Sequence, residues 1–171
     1  MEELKIQSND KPEVFAQAKN LLLDKGFDLI DEDDQKPWGF YLSVKESLAP
    51  EFIKAFYEGV ELKDVDTSLP LRPKILGIAP HKRLSWQYHH RRSEKWRCLA
   101  GSYYIVISDT DEEIEPVLKK AGDVISIKQG QRHRGVGSDE WAFIAEIWQH
   151  EDLNNPSNEE DIVRVQDDFG R

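Results

Sequence analysis

The chain of 171 residues is long enough for one domain with a substantial core, and 39% of its residues are hydrophobic. Its net charge of −10 argues against nucleic acids and anionic membranes as partners, and it lacks the run of about 18 apolar residues that spans a membrane. The single cysteine, Cys98, and the N-terminus without a basic and an apolar stretch predict a cytoplasmic protein that is not secreted.

The first segment is predicted to be an N-terminal helical arm over residues 1–35. Asp10 and Pro12 are typical of a helix start, and apolar residues then recur at helical spacing. Gly26 is predicted to end this helix. The acidic run from Asp28 to Asp34 predicts a solvated connection to the next segment.

The second segment combines a strand and another helix. Pro37 to Val44 predicts a strand of alternating character, and Pro50 to Gly59 predicts a helix with one apolar face. We expect this helix to pack on the outside of the β-structure. Pro70 and Pro73 end a predicted loop, so that residues 46–73 form a helical insertion.

From Lys74 onward the pattern changes to short strands separated by turn residues. This spacing is typical of an all-β barrel or sandwich. The predicted strands are KILGIA, RLSWQYHH, WRCLAG, SYYIVIS, EPVLKK, DVISIK and WAFIAEIWQ.

Four residues in this region have the chemistry of metal ligands. Strand alternation puts Gln87 and His89 on one face, and the four residues before Glu94 allow the chain to bring a carboxylate to the same point. His133 follows in a second segment that begins at Gly122. The pattern Gln-x-His-x4-Glu-x6-Gly resembles the first cupin motif, with Gln in place of its first His, and the second segment resembles the second motif.

The resemblance implies an all-β cupin fold, a double-stranded β-helix or jelly-roll barrel, over residues 36–171. It also implies that Gln87, His89, Glu94 and His133 bind one divalent metal. Zinc is our first expectation, and Mn, Fe, Co and Ni remain possible. The alternative is an emptied cupin whose histidines and glutamate hydrogen-bond one another.

A cluster of positive charge surrounds the first motif. Between Arg72 and Arg97 there are eight basic residues and one acidic residue, in a chain that is acidic elsewhere. Such a cluster predicts a small anionic substrate such as a sugar phosphate. The alternative is that many of these side chains lie on outward strand faces, and alternation alone leaves it unresolved whether Arg91 or Arg92 points inward. The phosphate candidates are Lys82, Arg83, Arg92 and, from the second motif, Arg134.

Five motifs together resemble the type II phosphomannose isomerases, which also occur as the C-terminal module of mannose-1-phosphate guanylyltransferases. The resemblance covers residues 36–45 and 74–171, and Lys95 stands where the family commonly has His. The motif residues are Pro37, Trp38, Gly39 and Tyr41; Leu84, Ser85, Gln87, His89, Arg92, Glu94 and Trp96; His133 and Arg134; Glu146, Ile147 and Gln149; Asp161, Ile162, Arg164, Asp167, Phe169, Gly170 and Arg171.

This family implies a metal-dependent isomerase that interconverts mannose 6-phosphate and fructose 6-phosphate. Glu146 is the expected base, because an ionisable residue in an apolar strand is buried and burial raises its pKa. Its alternative role is to orient the metal-binding histidines. Arg164 is expected to stabilise an enediolate or hold phosphate, and its alternative is a salt bridge to Asp161 or Asp168.

Cupins commonly pair, so we expect a homodimer. Three other functions remain open: a non-catalytic sugar or sugar-phosphate binding protein that retains the metal, an isomerase of a free sugar such as lyxose or mannose, and an iron-dependent oxygenase. The positive cluster disfavours the last of these, because most oxygenase substrates need no phosphate anchor.

Overall fold

A computed structural model of the protein describes residues 4–171, so residues 1–3 of the predicted N-terminal arm lie outside the described part. The described chain is mostly β-structure, with two helices and one 3-10 turn near its N-terminal end. The elements are α1 (Lys11–Leu23), β1 (Leu29–Asp33), β2 (Gly39–Val44), the 3-10 helix Glu46–Leu48, α2 (Ala49–Phe56), β3 (Leu71–Ile78), β4 (Trp86–Tyr88), β5 (Arg92–Ala100), β6 (Ser102–Ser108), β7 (Val117–Lys120), β8 (Val124–Ile127), β9 (Arg132–Gly137), β10 (Ala142–His150) and β11 (Val163–Gln166).

The strands form two antiparallel sheets that share one core. The order is β1-β2-β3-β10-β5-β8 in the first sheet and β11-β4-β9-β6-β7 in the second. Ile78 and Trp96 from the first sheet pack with Tyr103 and Ile105 from the second. This arrangement confirms the all-β prediction. Between residues 4 and 171, no helix is both long enough and apolar enough to cross a membrane.

Both helices cover the outer face of the six-stranded sheet. Val14 on α1 and Phe52 on α2 are fully buried in a second core cluster together with Phe40 and Phe143 of the sheet. Residues 142–148 of β10 are therefore all buried, because their inward side chains face the barrel and their outward side chains face the helices. The predicted packing of the second helix outside the barrel is confirmed.

The acidic run before the barrel is a strand rather than the predicted connection. Leu29–Asp33 pairs with β2 as the edge strand of the larger sheet. An edge strand has one unpaired side in solvent, which its charged side chains tolerate well. Asp31 accepts a hydrogen bond from the Tyr41 hydroxyl at 2.7 Å, and Glu32 pairs with Lys19 at 2.8 Å. The prediction was wrong because edge strands need few apolar residues.

The predicted loop before the barrel also ends earlier than proposed, since β3 begins at Leu71 and includes Pro73. Proline cannot donate a backbone hydrogen bond, so it is excluded from most central strands. The pairing of β2 with β3 stops at Ser43 and Lys74, the residue that directly follows the proline. Pro73 is therefore accommodated where β3 has a partner on one side only.

Candidate metal centre and substrate cavity

Three side chains with metal-binding chemistry meet inside the barrel. Glu94 lies on β5 and His133 on β9, while His89 directly follows β4. The Nε2 atom of His89 is 3.2 Å from Glu94 Oε1, and that of His133 is 3.5 Å from Glu94 Oε2. All three residues are buried, and their donor atoms lie within 4.8 Å of one another. The fold thus brings together three of the four predicted ligands from separate strands.

Backbone carbonyls fix the orientation of both imidazole rings. His89 Nδ1 donates to the Asp161 carbonyl oxygen at 2.6 Å, and His133 Nδ1 donates to the Gln131 carbonyl oxygen at 3.0 Å. Because a carbonyl only accepts, the neutral rings carry their proton on Nδ1, and the Nε2 lone pairs are turned toward Glu94. Burial lowers the pKa of His89 to about 3, so this ring is neutral at pH 7.

Glu94 is held in its charged form between two donors. Arg92 Nε donates to Oε1 at 2.8 Å, and the Trp96 indole N–H donates to Oε2 at 3.0 Å. Burial opposes ionisation, but the charge of the Arg92 guanidinium outweighs it and keeps the pKa of Glu94 well below its ordinary value. A permanent negative charge therefore faces the two imidazole lone pairs.

This donor set fits a divalent metal ion. Two imidazole nitrogens and a carboxylate, all acceptors, face one another, and the Arg92 guanidinium offsets this repulsion at Glu94 and His89 but not at His133. Within residues 4–171 the buried Nε2 of His133 has no hydrogen-bond partner. A buried nitrogen without a partner is costly, and a metal ion would satisfy it.

Gln87 is placed to complete the set. It is the Cα partner of His133 where β4 pairs with β9, so the two side chains lie on the same face. Its Oε1 accepts a hydrogen bond from Ser85 Oγ at 2.5 Å, which fixes the amide. Two nitrogens and two oxygens suit Zn, Mn, Fe, Co or Ni and do not select among them.

Arg92 bridges two of these ligands and the C-terminal segment. Beyond its bond to Glu94, its Nη2 lies 3.2 Å from His89 Nε2 and its Nη1 donates to Ser157 Oγ at 3.1 Å. The guanidinium carbon lies 3.4 Å from the centre of the Trp148 ring. A metal bound by His89 would have to take the Nε2 lone pair from Arg92. The turn between β4 and β5 resets the strand alternation and brings Arg92, rather than Arg91, inward.

Glu146 provides a second carboxyl in the same cavity. It lies on β10 between Lys74 of β3 and Trp96 of β5, and it accepts a hydrogen bond from the Trp148 indole N–H. Burial, together with the nearby charge of Glu94, raises the pKa of Glu146 to about 8. A carboxyl with this pKa can both accept and release a proton near neutral pH.

Gln87, Arg92, Glu94 and Glu146 line one cavity of about 170 Å³, together with residues of β2 and of the C-terminal segment, whereas His89 and His133 are not among its lining residues. Arg164 stands at this cavity opposite Gln87 in the pairing of β11 with β4. It has no hydrogen-bond or ion-pair partner within residues 4–171, so neither Asp161 nor Asp168 neutralises it. The lining residues are Lys36, Trp38, Tyr41, Lys74, Leu76, Leu84, Ser85, Gln87, Arg92, Glu94, Trp96, Glu146, Trp148, Glu159, Ile162, Arg164 and Arg171.

Three predicted phosphate candidates do not line this cavity. Lys82 is exposed outside it. Arg83 forms a two-pronged pair with Asp168, with Nη2 2.8 Å from Oδ1. Arg134 follows His133 on β9, so it points to the opposite face, where it is fully buried and bonds to Leu84, Glu113 and Gln166. Among the four candidates, only Arg92 lies at the cavity.

Lys95, which replaces a common family histidine, also lies away from the cavity. It is buried on the outer side of β5, where its ammonium bonds to Asp64 and, at 3.1 Å, to Ser126 Oγ. This contact ties the loop after α2 to the sheet. The replacement therefore leaves the ligand cluster of His89, Glu94 and His133 intact.

The sequence reasoning missed Lys74 and Glu159. Lys74 is a charged residue within a buried strand, which is the same signal that singled out Glu146. Its ammonium pairs with Glu159 and lies 4.1 Å from the centre of the Trp148 ring. No periodic pattern marks Glu159, because it lies in the polar loop before β11.

The C-terminal segment is anchored next to the ligand cluster through Asp161. Its carboxylate accepts hydrogen bonds from the backbone N–H groups of His90 and Arg91, at 2.9 and 3.0 Å, and from Ser157 Oγ at 2.7 Å. Its carbonyl is the acceptor for His89 Nδ1. Asp161 thus holds the turn that contains a predicted ligand and also fixes that ligand's tautomer.

Solved structures share the fold at low sequence identity. Vicilin from hazelnut (Corylus avellana) has a TM-score of 0.52 at 18% identity, over 82% of this chain and 34% of its own. A variant of the oxalate decarboxylase from Bacillus subtilis has a TM-score of 0.52 at 13% identity, over 81% and 30%. A cupin 2 conserved barrel domain protein from Salinispora arenicola has a TM-score of 0.42 at 23% identity, over 56% and 73%. This chain spans only about a third of the length of the first two.

No curated protein sequence matches the chain. Residues 51–167 do match the family model described as mannose-6-phosphate isomerase C-terminal. This range contains the four predicted ligands, Glu146 and Arg164, and the barrel around them has the cupin fold. The chain therefore belongs to the mannose-6-phosphate isomerase C-terminal family of cupins.

Proposed function

We propose that the protein is a metal-dependent aldose–ketose isomerase that acts on a sugar phosphate, with mannose 6-phosphate and fructose 6-phosphate as the first pair to test. The observation that carries the proposal is a buried carboxyl, Glu146, which lines the same small cavity as Glu94 of the ligand cluster and has a pKa raised to about 8. Isomerisation moves one proton between C1 and C2, and a group that titrates near neutrality suits this transfer.

In this proposal Glu146, as the carboxylate, takes the proton from C2 of the aldose and returns it to C1, while the hydroxyl proton passes from O2 to O1, so the net reaction consumes no proton. A divalent metal held by His89, Glu94, His133 and Gln87 would supply a Lewis acid that polarises the carbonyl. Arg164, which has no ion-pair partner within residues 4–171, supplies positive charge for the substrate's anionic group or for the charge that develops on the enediol oxygens.

One observation favours a free sugar such as lyxose or mannose as a second candidate substrate. Apart from Arg164, each cation at the cavity already has an acidic partner: Lys36 pairs with Asp33, Lys74 with Glu159, Arg92 with Glu94, and Arg171 with Asp167. A neutral sugar, unlike a phosphate ester, requires no free cation at the cavity. The phosphorylated and free sugars therefore belong in the same assay.

The test is a proton NMR time course in deuterated water with metal-loaded protein and mannose 6-phosphate, mannose or lyxose, beside a chelated control. Conversion to the ketose only with metal, with deuterium in the product, supports proton transfer through an enediol. Glu146→Gln should abolish turnover, while Glu151→Gln, at an exposed position just beyond β10, should not. Absence of turnover despite bound metal would replace the isomerase with a non-catalytic sugar-binding protein.

A further inference from the structure

The cavity at the candidate centre is smaller than most pockets that enclose a small organic molecule. Its volume is about 170 Å³, whereas such pockets usually measure roughly 300 to 1,000 Å³. A hexose phosphate would therefore gain room if one lining side chain moved out. The strands of the barrel are closely packed and the segment of residues 151–162 is anchored through Ser157 and Asp161, so the movable part of the lining is the half-exposed Glu159 side chain.

An ion pair between Lys74 and Glu159 holds this loop at the cavity. Lys74 is only 3% exposed, and its ammonium lies between the rings of Trp148, at 4.1 Å, and Tyr41, at 4.8 Å. The Glu159 carboxylate is its hydrogen-bond acceptor. The Glu159 side chain, in contrast, is 49% exposed, so it reaches the buried ammonium from the mouth of the cavity.

Separation of the ion pair costs Lys74 much more free energy than it costs Glu159. A buried ammonium without a counter-ion is costly, so Lys74 requires an anion at this position. A half-exposed carboxylate can return to water at little cost. An incoming anion can therefore replace Glu159 on Lys74, and the departing side chain enlarges the cavity at the same time.

We propose that the Lys74 ammonium is the subsite for the substrate's anionic group, chemically a phosphate monoester, and that Glu159 occupies this subsite while no ligand is bound. The choice of a phosphate ester rests on the proposed function. Arg164 and Arg171 line the same cavity and add positive charge beside the subsite. Glu159 thereby disfavours neutral sugars, because they cannot replace the charge that Lys74 would lose.

The test measures binding of inorganic phosphate and mannose 6-phosphate, with mannose as a neutral comparison, by calorimetry on the metal-free full chain. Glu159→Gln removes the competing charge, and binding of both phosphates should become about two- to tenfold tighter. Glu160→Gln is the matched control, because this neighbouring side chain is exposed and has no ion pair within residues 4–171. Lys74→Met, combined with Glu159→Gln, should abolish this gain in phosphate affinity.

Equal or weaker phosphate binding by Glu159→Gln would overturn the proposal, as would an equal gain in Glu160→Gln. Lack of phosphate binding in every variant would also overturn it. Loss of folding in Lys74→Met would leave the comparison of the two glutamate variants decisive. Because binding is measured without metal and without turnover, a failed isomerase assay and a failed binding assay remain separate results.

Discussion

The raised pKa of Glu146 makes a direct prediction about stability. In the folded protein its pKa is about 8, against an ordinary value of 4.5. Below pH 4.5 the carboxyl is protonated in both the folded and unfolded states, so it adds no pH dependence. Between pH 4.5 and 8 the unfolded chain releases this proton and the folded chain keeps it. The free energy of unfolding therefore falls as the pH rises through this window and levels off above pH 8.

The size of the effect follows from the width of that window. Each pH unit within it lowers the free energy of unfolding by about 1.4 kcal/mol, so the full span amounts to about 5 kcal/mol. Water that enters the cavity screens the charge, and we expect at least about 2 kcal/mol to remain. Glu146→Gln keeps the volume and an acceptor for the Trp148 indole N–H but cannot ionise, so it should abolish this loss.

The assay is urea denaturation of the metal-free protein at pH values from 5 to 9, for wild type, Glu146→Gln and the control Glu151→Gln. The stability difference between Glu146→Gln and wild type should grow in favour of the variant up to about pH 8 and then stay constant. Other titrating groups contribute to both curves and largely cancel. Two curves that stay parallel over the whole range would refute the buried, protonated state of Glu146.

Three further predictions follow from the site and the core. Zinc or manganese at a hundredfold excess over Kd should stabilise the wild-type protein by about 2.7 kcal/mol and so raise its melting temperature. His133→Ala should remove this rise, whereas replacing exposed His81 by Ala should preserve it. Calorimetric scans with and without chelator measure the rise, and an unchanged rise in His133→Ala would contradict the ligand set. Arg164→Ala should weaken phosphate binding in calorimetry while Arg83→Ala, which breaks a surface pair, should not; the reverse order would contradict the cavity assignment. Phe52→Ala should lower the free energy of unfolding in urea by about 3 to 5 kcal/mol, and a loss below about 1 kcal/mol would show that α2 contributes little to the core.

The ligand cluster could be predicted from sequence because the spacing of His89, Glu94 and His133 resembles a known motif. The spacing does not show how these residues meet, since β4 and β5 lie in different sheets and His133 lies on β9. The interior position of Glu146 could be predicted from its own strand, because a lone carboxylate among the apolar residues of a buried strand is itself buried.

Whether the side chains of Arg92 and Arg134 point toward the cavity or away from it could not be predicted, because this depends on turn geometry and on contacts with strands that are distant in sequence. The turn after β4 resets the alternation, so Arg92 enters the site, a result that counting along the strand cannot give. Arg134 faces away because it follows an inward residue, yet its fully buried position depends on Glu113 and Gln166 from other parts of the chain. Glu159 reaches Lys74 across 85 positions, and no local pattern encodes such a contact.

The bond from His89 to the Asp161 carbonyl has a consequence for the order of events during synthesis. The two residues are 72 positions apart, and all four predicted metal ligands precede Asp161 in the chain. A nascent chain therefore possesses every ligand before it possesses the group that sets the His89 tautomer. Contacts of such long sequence separation form late in folding. Metal binding that depends on this tautomer should thus begin only after the C-terminal segment has docked.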